Sequence, residues 1–167
     1  DLSRLGIVAR IEQLVSTNEA SLRNRLLFAA LRDHDWVIWL DPSIVEVPAG
    51  LLHTLHVTHA DVLQPLLVNA EQLPVTSSAA TDRGDAPLAS YHGYDTVTLD
   101  GIDARLVLVR ADCHREGLVW PNFSYGIEDP RARPEPSMLG RHEMGEIETE
   151  GLGLLAGAMG YNVLGLP

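Results

Sequence analysis

With 167 residues, the chain is long enough for one domain with a real core. A net charge of −11 argues against holding nucleic acid phosphates by bulk electrostatics. A single cysteine, Cys113, excludes a disulfide framework and a cysteine-based zinc site. No stretch approaches about 18 uninterrupted apolar residues, the length a membrane-spanning helix needs. The first residue is Asp1 and no signal-peptide pattern follows, so the chain reads as an excised or processed piece of a longer protein.

Residues 4–15 and 20–32 are expected to be helices. In the second, Leu22, Leu26, Ala29 and Ala30 share one face, and Asn18 or Ser21 offers a cap. Asp33-His34-Asp35 breaks the pattern, and residues 36–40 form an apolar, aromatic run expected to be a buried strand. A short helix follows from Leu51, Leu52, Leu55 and His56. Residues 61–68 read as a strand, with Pro65 placing it near an edge or a bulge. Residues 71–93 are a loop longer than most connections in compact domains, hence mobile or functional. Residues 96–99 and 105–109 are strands joined by the turn signal Asp100-Gly101, as in a hairpin. Residues 126–145 are an irregular, proline-containing insertion. Residues 148–159 form a Gly- and Ala-rich helix, and 161–166 a last strand. Helices alternating with buried strands predict one α/β domain, 1–167, with a mostly parallel sheet.

Asp41 is the first candidate for chemistry. It follows an apolar strand, and open α/β sheets bind ligands outside the carboxyl ends of their strands. A carboxylate there can hold Mg²⁺ or Mn²⁺, hard ions that also bridge diphosphate. Asp41-Pro42-Ser43 is equally a good turn sequence. Glu148 and Glu150, two apart at a helix start, suit a base and its orienting group. They also suit the helix dipole, which favours acids in the first turn. Asp100 beside Gly101, with Asp103 two residues on, could approach a sugar hydroxyl or a metal, or simply serve the hairpin.

The seven histidines form no metal motif. His53, His56 and His59 recur every three residues, which a helix aligns only in part. His114 and His142 are expected at the surface, and Cys113 as a buried, inert thiol. No GxGxxG, GxxxxGK[ST] or GxSxG is present, so nucleotide folds and hydrolases with those signatures have no support. Asn122-Phe123-Ser124 is a glycosylation sequon and permits a secretory setting.

Several blocks occur in a distinctive order: Arg23-Asn24 in a helix, WVIWLDPSIVEVP, ADVLQPLLVN, LDG, LVLVRADCHREGLVWPNF, then IETEGLGLLAGAMGYNVLGLP. From about Ser21 to Pro167 this resembles the fungal Golgi mannosyltransferases of the mannan polymerase complexes, glycosyltransferase family 62. The resemblance implies a GT-A-like nucleotide-diphospho-sugar fold, here a partial domain lacking N- and C-terminal parts. It implies GDP-mannose as donor, Mn²⁺ as cofactor and a mannan-type oligosaccharide as acceptor. An α-1,6-mannosyltransferase activity with retention of configuration follows. So do other mannosyltransferase subunits as partners and a type II membrane-anchored parent in the Golgi lumen. Asp41 matches the first aspartate of the family's Asp-x-Asp metal pair, and Ser43 stands at the second. A serine hydroxyl is a weaker, neutral ligand for a hard cation. By the same resemblance Asp41, Asp100 and Gly101 would bind the donor. Glu148 and Glu150 would be the catalytic pair on the acceptor side.

Two functions follow from this comparison. One is a metal-dependent mannosyltransferase. The other is a catalytically impaired homologue acting as a non-catalytic subunit, suggested by Ser43. A sheet missing an edge also exposes unpaired backbone groups, which predicts marginal stability or self-association for this piece.

Overall fold

Five strands form one mixed sheet in the order β1-β4-β2-β5-β3. The computed structural model describes residues 19–48, 50–75, 88–91, 93, 95–99, 101–103, 105–122 and 148–167. The expected helix at 4–15 and the insertion at 126–145 lie outside the described residues. The elements are α1 (Glu19–Ala30), β1 (Trp36–Leu40), α2 (Leu51–Thr58), β2 (Val62–Pro65), β3 (Val97–Thr98), β4 (Leu106–Arg110), α3 (Ala111–Arg115), α4 (Glu148–Ala158) and β5 (Val163–Leu166).

The α/β class is as expected, but the sheet is not mostly parallel. Only β2 and β5 pair in parallel; β1–β4, β2–β4 and β3–β5 are antiparallel. The physical reason lies in the strand order. The β1–α2–β2 crossover does leave its two strands running the same way. β4, arriving from far downstream, then fills the gap between them in the opposite direction. Alternation of helix and strand sets direction along the chain, but not which strands become neighbours.

Two further expectations fail with it. Asp100-Gly101 does not join a hairpin, because β2 and β5 stand between β3 and β4. β1 is not a buried strand: it is the outermost strand, with Ile38 41% and Leu40 52% exposed. Pro65 closes β2, which lies in the sheet interior. The Val62 and Leu66 N–H groups face β5, so the donor that Pro65 lacks falls on the β4 side. There, pairing registers only Val62 and Leu63, so no ladder bond is lost.

The core follows the two-residue period of the strands. On one face Val62, Val107, Val109 and Val163 pack with Ala20, Leu118, Trp120, Leu152 and Ala156 from the helices and loops. On the other Leu63, Leu106 and Leu108 pack with Leu51, Ala60 and Leu67. β4 is apolar on both faces because both are covered. α3 and α4 end alike. Leu118 N–H reaches Cys113 O and Gly117 N–H reaches His114 O; Tyr161 and Gly160 bond Ala156 O and Gly157 O in the same way. Gly117 and Gly160 supply the positive φ, 114° and 85°, that this helix ending requires.

α1 buries a different stripe from the apolar one. Ala20 and Leu27 are buried, while Leu22, Leu26 and Ala29 are half-buried and Ala30 is exposed. Ala20, Arg23, Asn24 and Leu27 fall at i, i+3, i+4 and i+7, so two polar side chains occupy the inward face.

Candidate functional site

The inward turn of Arg23 and Asn24 has a clear cause 96 residues away. Asn24 clamps the backbone of Trp120, its Nδ2 donating to Trp120 O at 2.8 Å and its Oδ1 accepting from Trp120 N–H at 2.9 Å. The Arg23 guanidinium lies 4.4 Å over the Trp120 ring. Trp120 meets Trp39 edge-on, centroids 5.3 Å apart and planes at 85°. Glu19 holds the other side of the guanidinium. Trp39 is the penultimate residue of β1, so this cluster sits beside the C-terminal end of that strand.

Asp41 caps that end. Its N–H donates to Arg105 O at 2.8 Å, extending the β1–β4 ladder by one step. Its carbonyl accepts from Ile44 N–H at 3.0 Å, closing a turn with Pro42 inside it. Its Oδ1 accepts from Ser43 N–H at 2.8 Å. The hydrogen bonds from Ser43, hydroxyl first and backbone second, hold the Asp41 carboxyl below its ordinary range; Arg105 and Arg23 add to this through charge. The turn geometry weighed in the sequence is therefore present, and Ser43 acts as a donor to Asp41.

Arg105 links Asp41 to the rest of the sheet end. Asp103 grips it, both carboxylate oxygens lying 3.0 Å from Nε, and Val75 O accepts from Nη2. This grip raises the Arg105 pKa. Asp103 N–H in turn donates to Oε1 of the buried Gln64, at 2.8 Å. Gly101 is buried in the connection before it.

Among the described residues, four buried N–H donors at this end have no acceptor: Arg23 Nη1, Trp39 Nε1, Trp120 Nε1 and Gln64 Nε2. Each such group costs about 1–3 kcal/mol when left unmade. A fold that keeps four of them beside two arginines has the chemistry to receive an acceptor-rich, anionic ligand.

The residues chosen from sequence are only partly brought together. Asp41 and Ser43 share one turn, and Asp41 reaches Asp103 through Arg105. Asp100 lies outside the described residues. Glu148 and Glu150 occupy the first turn of α4, and their side chains lie outside the described residues as well. The short 159–162 turn reverses the chain from α4 into β5, which directs the first turn of α4 toward the same sheet end as Asp41. No group of three His, Cys, Asp or Glu that could hold a metal ion occurs among the described residues. Asp41 with a hydrogen-donating Ser43 falls short of the oxygen set that a hard divalent cation takes.

Sequence reasoning missed Arg23, Trp39, Trp120, Gln64 and Arg105. Arg23-Asn24 was legible only as a pair of polar residues in a helix. Two of the other expectations resolve oppositely. Cys113 is buried as expected, and burial pushes its thiol up to about 11. His114 is not at the surface. It faces the core from α3, and its Nδ1 donates to Leu118 O at 2.7 Å because the helix ending brings that carbonyl under the ring.

Comparison with known proteins agrees with the resemblance read from the blocks. The Anp1 family model matches residues 17–82, which include Arg23, Trp39 and Asp41. The chain is 29% identical to mannan polymerase complex subunit MNN9 of Candida albicans, over 89% of this chain and 46% of that protein. It is 27% identical to the corresponding mnn9 subunit of Schizosaccharomyces pombe, over 89% and 49%. It is 26% identical to the mannan polymerase II complex ANP1 subunit of Saccharomyces cerevisiae, over 89% and 33%. The similarity to the mannan polymerase subunits is thus borne out. The chain spans about half the length, or less, of these relatives.

Proposed function

We propose that this chain is the donor-binding part of a glycosyltransferase subunit of a mannan polymerase complex, with a GT-A-like fold. It takes GDP-mannose and transfers α-mannose to a mannan-type acceptor, in the Golgi lumen, from a membrane-anchored parent. The observation that carries the reading is the set of unpaired donors at the C-terminal end of the sheet, Arg23, Trp39, Trp120 and Gln64. The ionised diphosphate of a nucleoside diphosphate offers acceptor oxygens and no donors, so it complements such a set. Arg23 and Arg105 supply the positive charge that offsets the leaving diphosphate. Asp41, with Asp100 and Gly101, would hold the sugar side of the donor, and Glu148 and Glu150 would face the acceptor. Asp41 and Ser43, short of a full oxygen set by themselves, would hold Mn²⁺ only together with the bound diphosphate, and the ion would then supply Lewis acidity.

A second reading rests on the Ser43–Asp41 turn. With the only described carboxylate of the pair engaged by its own turn, the domain would bind GDP without metal and serve as a non-catalytic partner of an active subunit. Calorimetric titration of GDP, with and without Mn²⁺, decides. Binding at about 0.1 mM or tighter is expected. Tightening by Mn²⁺ supports the enzyme, and indifference to Mn²⁺ the non-catalytic subunit. Binding weaker than about 1 mM under both conditions overturns the donor-site proposal.

A further inference from the structure

Trp120 belongs to no strand, yet its backbone is paired as if it did. It precedes Pro121, which biases it toward extended backbone. In that conformation the N–H and C=O of one residue point to the same side, and a partner that both donates and accepts meets them together. In a sheet the partner is another strand. Here it is the Asn24 carboxamide, with Nδ2 2.8 Å from Trp120 O and Oδ1 2.9 Å from Trp120 N. The backbone groups fix the orientation of the carboxamide, because an N–H can only donate and a C=O only accept. Only asparagine and glutamine set a donor beside an acceptor on one planar side-chain group. Asn24 is half-buried in the middle of α1, on the face with Ala20 and Leu27. A leucine there would suit both the helix and the core better.

The ring on this clamped backbone is the hub of the site. The Arg23 guanidinium lies over its face and Trp39 meets it edge-on. Three of the four unpaired N–H groups therefore belong to Trp120 and to the two side chains in contact with it. α1 supplies Arg23 one residue before the clamp, so the same helix turn sets both the guanidinium and the indole beneath it. A misplacement of about 1 Å in such groups is enough to degrade a site. Resting on the donor-site reading above, we propose that Asn24 is a positioning residue for the sugar donor. It acts through Trp120, setting that ring with Arg23 and Trp39 where their N–H groups meet the diphosphate.

The test titrates GDP into the 167-residue chain and its variants by calorimetry, counting folded molecules only. Asn24→Leu removes both bonds to Trp120 and should weaken GDP binding about tenfold. Asn24→Ser, smaller and still polar, should weaken it in the same direction and serves where the leucine variant does not fold. Trp120→Phe keeps a ring but carries no N–H. In that background the Asn24 change should cost no more than about threefold, because much of its route to the ligand is gone. Leu27→Val disturbs the same face of α1 without touching the clamp and should leave affinity within about twofold. Independently of GDP, the circular-dichroism couplet of the Trp39–Trp120 pair, identified by its loss in Trp39→Phe, should disappear in the Asn24 variants with the helical signal retained. Parent-like GDP binding by a folded Asn24 variant overturns the role of Asn24 and leaves the donor site standing. So do equal losses in the parent and Trp120→Phe backgrounds, a loss in Leu27→Val as large as in Asn24→Leu, or an unchanged couplet. A parent chain that binds no GDP overturns the donor site, and this role with it.

Discussion

The two ends of the sheet differ in how their polar groups are settled. Where β2 and β5 begin and β4 stops, hydrogen bonds close on one another. Asp61 accepts Asn162 N–H at 2.9 Å through Oδ2 and meets Arg110 at 3.0 Å through Oδ1, while its backbone bonds Asn162 and Arg110. Tyr161 donates to Glu116 at 2.7 Å, and Arg115 donates to the His34 carbonyl at 2.7 Å. The buried atoms left alone near that end, Thr58 Oγ1 and His114 Nε2, belong to neutral side chains. At the opposite end a guanidinium nitrogen, two indole N–H groups and an amide stay unpaired around Trp120 and Gln64. The first arrangement holds strands together. The second leaves buried donors without acceptors among the described residues, a cost that a bound ligand would offset under the proposed function. Stability and binding should therefore separate by sheet end.

The largest effect expected is at the closed end. Asp61→Ala leaves Asn162 N–H and Arg110 without their acceptor and should destabilise the chain by about 2–3 kcal/mol. Urea unfolding measures this. GDP affinity of the folded fraction should stay within about twofold, a change of under 0.5 kcal/mol. A comparable loss of GDP binding would mean that the ends are coupled and the comparison is wrong.

The converse variant sits at the open end. Trp39→Phe keeps an aromatic edge against Trp120 but deletes one unpaired N–H. Folding stability should change by less than about 1 kcal/mol, because the lost packing is set against relief of an unsatisfied donor. GDP binding should weaken about tenfold, the effect of one hydrogen bond to a charged group. Unchanged affinity, measured by the same calorimetry, would remove Trp39 from the site and weaken the case that the orphaned donors serve a ligand.

Much of this molecule was legible in local pattern. The apolar pentad at 36–40 became β1 within its expected bounds, and the glycine-rich helix before the last strand became α4. Asp41-Pro42-Ser43 folded as the turn its residues favour. What local pattern could not carry was long-range pairing. Nothing near Trp36 says that β4 is its only neighbour among the described residues, so a strand apolar enough for the core is expected to be buried. Nothing near Arg23 says that Trp120 waits 96 residues on, so the helix was turned by its leucines instead of by the asparagine that clamps that tryptophan. The blocks that identified the relatives include Arg23, Trp39 and Trp120. Only the fold sets them side by side.

The smallest effect concerns His114, at the closed end. Its Nδ1 donates to Leu118 O, and its Nε2 is buried without a partner. Burial is the larger influence and lowers its pKa, while the Leu118 bond raises it. Below about pH 6.5 the unfolded chain takes up a proton that the folded chain refuses. Stability from this residue is therefore present above that pH and is lost as pH falls toward the folded-state value, by at most about 1.4 kcal/mol per unit. His114→Asn preserves a donor for Leu118 O and cannot titrate. Urea midpoints at pH 7.5 and 5.5 should differ less in this variant than in the parent, the other six histidines being common to both. An identical pH dependence would show that the ring gains a proton without unfolding, and that the closed end admits a charge it has no acceptor to hold.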